Sequence, residues 1–164
     1  MSPVRPSVDY ELRLRVYWED TDAGGIVFYA NYLKFMERAR TEWLRSLGIG
    51  QQALRETSGG IFVVSETTLK YHRPARLDDQ LLVTAQLKVA GAASLIIDQR
   101  VLSNPEHKAT PEELPATALL CEGTIRIGWV DAATMRPSRL PASVSAVFER
   151  IAQVGTPPAA ASQQ

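Results

Sequence analysis

The sequence predicts an α+β domain in which a curved antiparallel sheet of about five strands wraps one long central helix. Three observations lead there. One strong helical period runs between Tyr32 and Leu47, five separate segments have strand character, and several of the links between those segments are too short for parallel crossovers.

In chain order, residues 1–9 hold two prolines and no period, and read as a flexible N-terminal arm. The domain is expected over 10–152. Its first strand alternates, with Leu12, Leu14 and Val16 on one face and Glu11, Arg13 and Arg15 on the other. The stretch EDTDAGG, residues 19–25, breaks it. The helix follows, carrying Tyr32, Met36, Ala39, Trp43 and Leu47 at spacings of three and four. Leu33, Phe35, Arg40 and Leu44 widen the stripe, and Gly48 stands where a C-terminal cap belongs. Residues 50–56 read as a further short helix. Strands are expected over 61–72, 80–89, 93–102 and 117–130. The link at 90–92 has hairpin length, whereas 103–116, with three prolines, is a long loop. A short closing helix is expected near 141–153, and residues 153–164 read as a disordered tail.

Composition narrows the function classes. Eighteen basic residues balance eighteen acidic ones, so no global field recruits nucleic acid or an anionic membrane. No apolar run approaches the roughly 20 residues of a spanning helix, and no signal peptide is evident. With a single cysteine, Cys121, this points to a cytoplasmic protein, and Cys121 itself, in an apolar run, reads as a packed thiol. The two histidines, His72 and His107, show no metal spacing with Cys121, so neither a metal nor another cofactor is expected. No G-x-S-x-G elbow, Rossmann fingerprint or phosphate-binding loop is present.

The segment 16–48, VYWEDTDAGGIVFYANYLKFMERARTEWLRSLG, resembles the signature of the hotdog-fold acyl-CoA thioesterases. The likeness is greatest to the branch named for the Tol-Pal-associated thioesterase YbgC, with the 4-hydroxybenzoyl-CoA thioesterases as a neighbouring branch. YHRPARLDDQLLV, SLIIDQRV and MRPSRLP extend it over roughly residues 10–150. The resemblance implies an acyl-CoA substrate and a homo-oligomer, a dimer or a dimer of dimers, with sheets paired edge to edge and sites at the protomer boundary. It also implies envelope-associated protein partners.

Residue by residue, the resemblance makes Asp22 the catalytic carboxylate, acting as general base or as nucleophile on the thioester. On its residues alone, Asp22 reads first as a turn or capping carboxylate. The N–H at Tyr29 is implied to polarise the thioester oxygen at a helix start. The YbgC branch usually carries histidine at that position and the 4-hydroxybenzoyl-CoA branch tyrosine. Tyrosine keeps the main-chain donor but not the proton shuttle of an imidazole. Gly24 and Gly25 allow the tight turn, and Asp20 and Asn31 are expected to support the loop. Glu37 competes for the catalytic role, because other hotdog branches place a carboxylate on the central helix, but Arg38 and Arg40 suggest an ion pair instead. Arg136 and Arg139, with Ser94, are expected to clamp the coenzyme A phosphates, the alternative being a solvated turn. Trp43 and Trp129 read as core. The rival function is a non-catalytic acyl-CoA-binding or scaffolding module of the same fold.

Overall fold

The computed structural model describes residues 8–104 and 117–154. Most of the expected arm, the segment from Pro105 to Ala116 with His107, and the tail from Gly155 lie outside the described residues.

Five strands form one antiparallel sheet: β1 (Tyr10–Arg15), β2 (Gly60–Tyr71), β3 (Gln80–Ala90), β4 (Ser94–Ser103) and β5 (Leu119–Asp131), in the order β1-β3-β4-β5-β2. The short β3–β4 link places those strands side by side, as its length requires. A register shift between Val64 and Glu66 bends the long edge strand β2, and similar shifts interrupt β3 and β4.

Helix α1 (Asn31–Ser46) packs against β1, β3 and β4. Tyr32, Phe35, Met36, Ala39, Trp43 and Leu44 are buried on it, facing Leu81, Val83, Leu95, Ile97, Val101 and Ile125 in one core cluster. Each large side chain so buried contributes about 1.5–3 kcal/mol. The helix ends where Gly48 takes φ 80°, a left-handed geometry that disfavours any residue with a Cβ. Leu33, expected in the stripe, is 39% exposed instead. A stripe counted by spacing overestimates the buried arc when only one face of a helix meets the sheet.

Helix α2 (Gln51–Ser58) packs on β2, and α3 (Ala142–Val154) on β3. The domain boundary expected at 152 therefore falls inside α3. Phe148 of α3 reaches Trp43, ring centroids 5.9 Å apart. One polar link crosses the core. Arg40 Nη1 donates to Gln99 Oε1 at 2.9 Å, and Gln99 Nε2 donates to the carbonyls of Met36 and Thr84. Arg40 is only 8% exposed, and burial pulls its pKa below the usual guanidinium range, with the Glu37 carboxylate opposing that shift.

Candidate functional site

Between β1 and α1 the chain makes a small hairpin of its own. Val16 N–H is held by the Asp79 carbonyl, and the 3-10 turn Trp18–Asp20 follows. Thr21 and Val27 then pair antiparallel, and Asp22 N–H donates to the Ile26 carbonyl at 2.9 Å. The tip is Ala23–Gly24–Gly25. Gly25 adopts φ 75°, where a side chain would be strained. Gly24 has a different reason to be glycine. Its N–H donates to Asp22 Oδ1 at 2.8 Å, and a Cβ there would stand 3.2 Å from the same oxygen. Asp22 is exposed, and among the described residues its Oδ2 has no hydrogen-bond partner.

Two further strips of chain brace this hairpin. The Ala75 carbonyl accepts from Val27 N–H at 2.8 Å, Ile26 bridges to Arg76, and Leu77 N–H reaches the Gly25 carbonyl. On the other side the Asp20 carbonyl accepts from Phe28 N–H and from Asn31 Nδ2, while its carboxylate accepts Tyr17 N–H at 2.8 Å. Asp20 and Asn31 are both buried.

Tyr29 lies two residues before α1, in a turn closed by Asn31 N–H on the Phe28 carbonyl at 2.8 Å. The helix thus starts six residues beyond Gly25, not directly after it, and the intervening 26–30 is an extended return and a turn. Among the described residues nothing accepts the N–H of Tyr29 or of Ala30. Unaccepted donors at the mouth of a helix are where its partial positive charge collects. Tyr29 is 65% exposed, and its ring meets Phe28 and Tyr71.

Glu37 faces a separate cavity of about 140 Å³, lined among others by Arg40, Leu44, Phe62 and Ile127. Its carboxylate accepts from Thr41 Oγ1 at 3.0 Å, and it takes part in none of the ion pairs among the described residues. The ion pair expected with Arg38 or Arg40 is therefore not formed: Arg40 turns inward to Gln99.

Arg136 and Arg139 are exposed on the segment that doubles back after β5. Asp131 N–H donates to the Arg136 carbonyl, Pro137 bridges to Val130, and Leu140 N–H donates to the Ala92 carbonyl. These bonds set Arg139 beside the β3–β4 hairpin that begins Ser94, over a depression of about 640 Å³ lined by Gly91, Ala92 and Ser145. Neither arginine has a carboxylate within 4 Å among the described residues. No hydrogen bond or ion pair among the described residues joins this segment to the Asp22 hairpin.

The remaining candidates are accounted for by packing. Cys121 is buried, and burial first, then Glu122, pushes its pKa up to about 11, so it is an inert thiol. His72 Nε2 lies 3.3 Å from Glu122, and the described residues contain no cluster of three or more groups able to hold a metal. Trp129 is buried against Phe62, and a Cβ on Gly60 would collide with its indole ring. Two residues escaped the sequence reading. Trp18 is 80% exposed immediately before the hairpin, and Tyr71 reaches the Tyr29 turn from the end of β2. Tyr71 lies within YHRPARLDD, where alternation along β2 showed only that it shares a face.

The thioesterase-like superfamily model matches residues 16–148. The chain belongs to that superfamily. Its curated relatives include the acyl-CoA thioesterase YbgC of Haemophilus influenzae, 37% identical over 142 residues, covering 87% of this chain and 96% of the relative. The acyl-CoA thioester hydrolase YbgC of Escherichia coli O6:H1 is 41% identical over 137 residues, covering 84% and 93%. Among solved structures, a 1,4-dihydroxy-2-naphthoyl-CoA thioesterase from Synechocystis superposes with TM-score 0.71 at 20% identity, covering 90% of this chain and 98% of that one, which shows the shared hotdog fold. These curated relatives, matched over most of the chain, are acyl-CoA thioester hydrolases, so the chain is a thioester hydrolase. No helix among the described residues is long and apolar enough to cross a membrane.

Proposed function

We propose that this thioesterase hydrolyses acyl-CoA in the cytoplasm, with Asp22 as general base or nucleophile and the Tyr29 N–H polarising the thioester carbonyl. The observation that carries the reading is that one braced segment, 20–31, holds a carboxylate oxygen and a main-chain N–H that both lack partners among the described residues. A carboxylate supplies the base or nucleophile, and an unaccepted N–H stabilises the oxyanion, at the position where each is free to act. Curated relatives that cover most of the chain are acyl-CoA hydrolases, which supports the substrate class. The test is Asp22→Asn, which should retain acyl-CoA binding and lose turnover. Near wild-type hydrolysis would remove Asp22 and bring forward Glu37.

The oligomer belongs to the same proposal. Among the described residues β2 pairs on one side only, with β5, and its twelve residues leave a long unpaired edge. Val64 and Tyr71 on it, Tyr29 against Tyr71, and Phe28 against Tyr29 are exposed apolar or aromatic residues. An open edge next to apolar surface calls for a cover, and a second copy paired through β2 supplies it. Light scattering at micromolar concentration should give a dimer or a dimer of dimers. A stable, fully active monomer would contradict this.

Arg136 and Arg139 are proposed to hold the phosphates of coenzyme A, with Ser94 nearby. Both residues are exposed and have no carboxylate within 4 Å among the described residues, and Arg139 lines, with Ser145 and Glu149, a depression of about 640 Å³ at the α3 start. Exposed contacts are weak, so each Arg→Ala should raise KM by about five- to thirtyfold at low salt with little change in kcat. The effect should shrink at high salt and vanish on an acyl-N-acetylcysteamine, which lacks the nucleotide. Equal losses on both thioesters would leave the segment as a plain turn.

A further inference from the structure

We infer that Tyr71 is a positioning residue for the carbonyl-polarising turn: its hydroxyl holds the main-chain carbonyl of Tyr29, fixing the peptide that bears the Ala30 N–H, directly after the peptide, anchored by Asn31, that bears the Tyr29 N–H. This rests on the oxyanion reading of Tyr29 given above.

The geometry is specific. A trans peptide points its N–H opposite to its C=O, so anchoring a carbonyl aims the N–H of the same plane. The peptide that carries the Tyr29 N–H has its carbonyl, Phe28 C=O, anchored by Asn31 N–H at 2.8 Å. The next peptide carries the Ala30 N–H, and its carbonyl, Tyr29 C=O, accepts from Tyr71 Oη at 2.8 Å. A regular helix would offer Leu33 N–H to that carbonyl, but Leu33 N–H goes to Ala30 C=O at 3.2 Å. Without Tyr71 the Tyr29 carbonyl would turn to water, and the peptide would be free to rotate with it.

Tyr71 comes from the sheet and not from the loop. It is the last residue of β2, paired with Cys121 of β5. Its ring meets Tyr29 and Tyr32 edge-on, at centroid distances of 6.5 Å and 5.6 Å. Tyr32 Oη in turn accepts the N–H of Ala75, whose carbonyl holds Val27. The aromatic group thus ties the turn to both the sheet and the brace of the Asp22 hairpin. Partial burial, then Cys121 and Tyr29, push the Tyr71 hydroxyl above its ordinary pKa, so it remains a donor through the neutral range. Rigid placement of donors before substrate arrives is what makes an oxyanion site effective.

The experiment compares Tyr71→Phe, Tyr71→Leu and Tyr29→Pro on an acyl-CoA and on the matching acyl-N-acetylcysteamine, with thermal midpoints for each. Tyr71→Phe keeps the ring and loses the one hydrogen bond. It should lower kcat by about five- to thirtyfold, equally on both thioesters, with KM within about twofold and the midpoint nearly unchanged. Tyr71→Leu should unfold earlier, yet its folded fraction should show the same kcat loss as Tyr71→Phe. A Phe variant with wild-type kcat, while Tyr29→Pro is inactive, would overturn the role of Tyr71 and leave the oxyanion reading standing. Full activity in both Tyr71→Phe and Tyr29→Pro would overturn the oxyanion reading itself. A loss confined to KM, or one that follows the loss of folded protein, would make Tyr71 structural only.

Discussion

Asp22→Asn is expected to lower kcat by at least about 10²-fold, the usual scale for removing a general base or nucleophile. The fold should not notice the change. Asparagine keeps Oδ1, the atom that accepts Gly24 N–H, and replaces only Oδ2, which has no partner among the described residues. The hairpin bonds from Asp22 N–H to Ile26 and from Gly25 N–H to the Asp22 carbonyl are main-chain and survive. Calorimetric affinity for a substrate or for free coenzyme A should therefore stay within about threefold while turnover collapses. A loss of turnover with an equal loss of binding would point to a damaged loop and not to missing chemistry.

The second large effect is at Tyr29, where side chain and main chain separate cleanly. Tyr29→Phe removes a hydroxyl that has no hydrogen bond among the described residues and keeps the ring against Phe28 and Tyr71. It should change kcat by less than about threefold. Tyr29→Pro removes the N–H, and kcat should fall by about 10²–10³-fold, as for loss of one oxyanion donor. Among the described residues that N–H has no acceptor, so its loss costs no hydrogen bond there, and Tyr29 lies in the turn ahead of α1, outside the helix interior where proline is most disruptive. Circular dichroism and coenzyme A binding check that the proline variant is folded. A Phe variant as inactive as Asp22→Asn would transfer the role to the hydroxyl.

The elements were readable because their signals are local. Alternation in β1 and the Tyr32–Leu47 period follow from side-chain directions that each element fixes by itself. Most element ends moved by only a residue or two, but β1 stops at Arg15, three residues short of the EDTDAGG break, and α1 begins six residues beyond Gly25. The hairpin geometry at Asp22 was only half legible. Two glycines beside an aspartate announce a turn, but not that Gly25 needs a left-handed φ while Gly24 needs the room beside Asp22 Oδ1. Contacts between distant segments were out of reach. Arg40 lies three residues from Glu37, a spacing that suggests an ion pair, yet Gln99, fifty-nine residues away, won the guanidinium. Tyr71 and Tyr29 are likewise forty-two residues apart, and only the sheet order brings them together.

That buried Arg40–Gln99 link also governs how the molecule can deform. Apolar contacts between a helix and a sheet have no preferred direction, so a helix held by them alone can slip lengthwise or roll at modest cost. Here Gln99 grips the Met36 carbonyl, the Arg40 side chain and the Thr84 carbonyl at once. Any sliding of α1 must first break bonds in a dry environment, where an unmade partner is expensive. The pin sits near mid-helix, and the Tyr29 turn hangs from the helix's leading end. The helix therefore behaves as a fixed rod and not as a piston, and motion that admits substrate or releases product has to come from the loops.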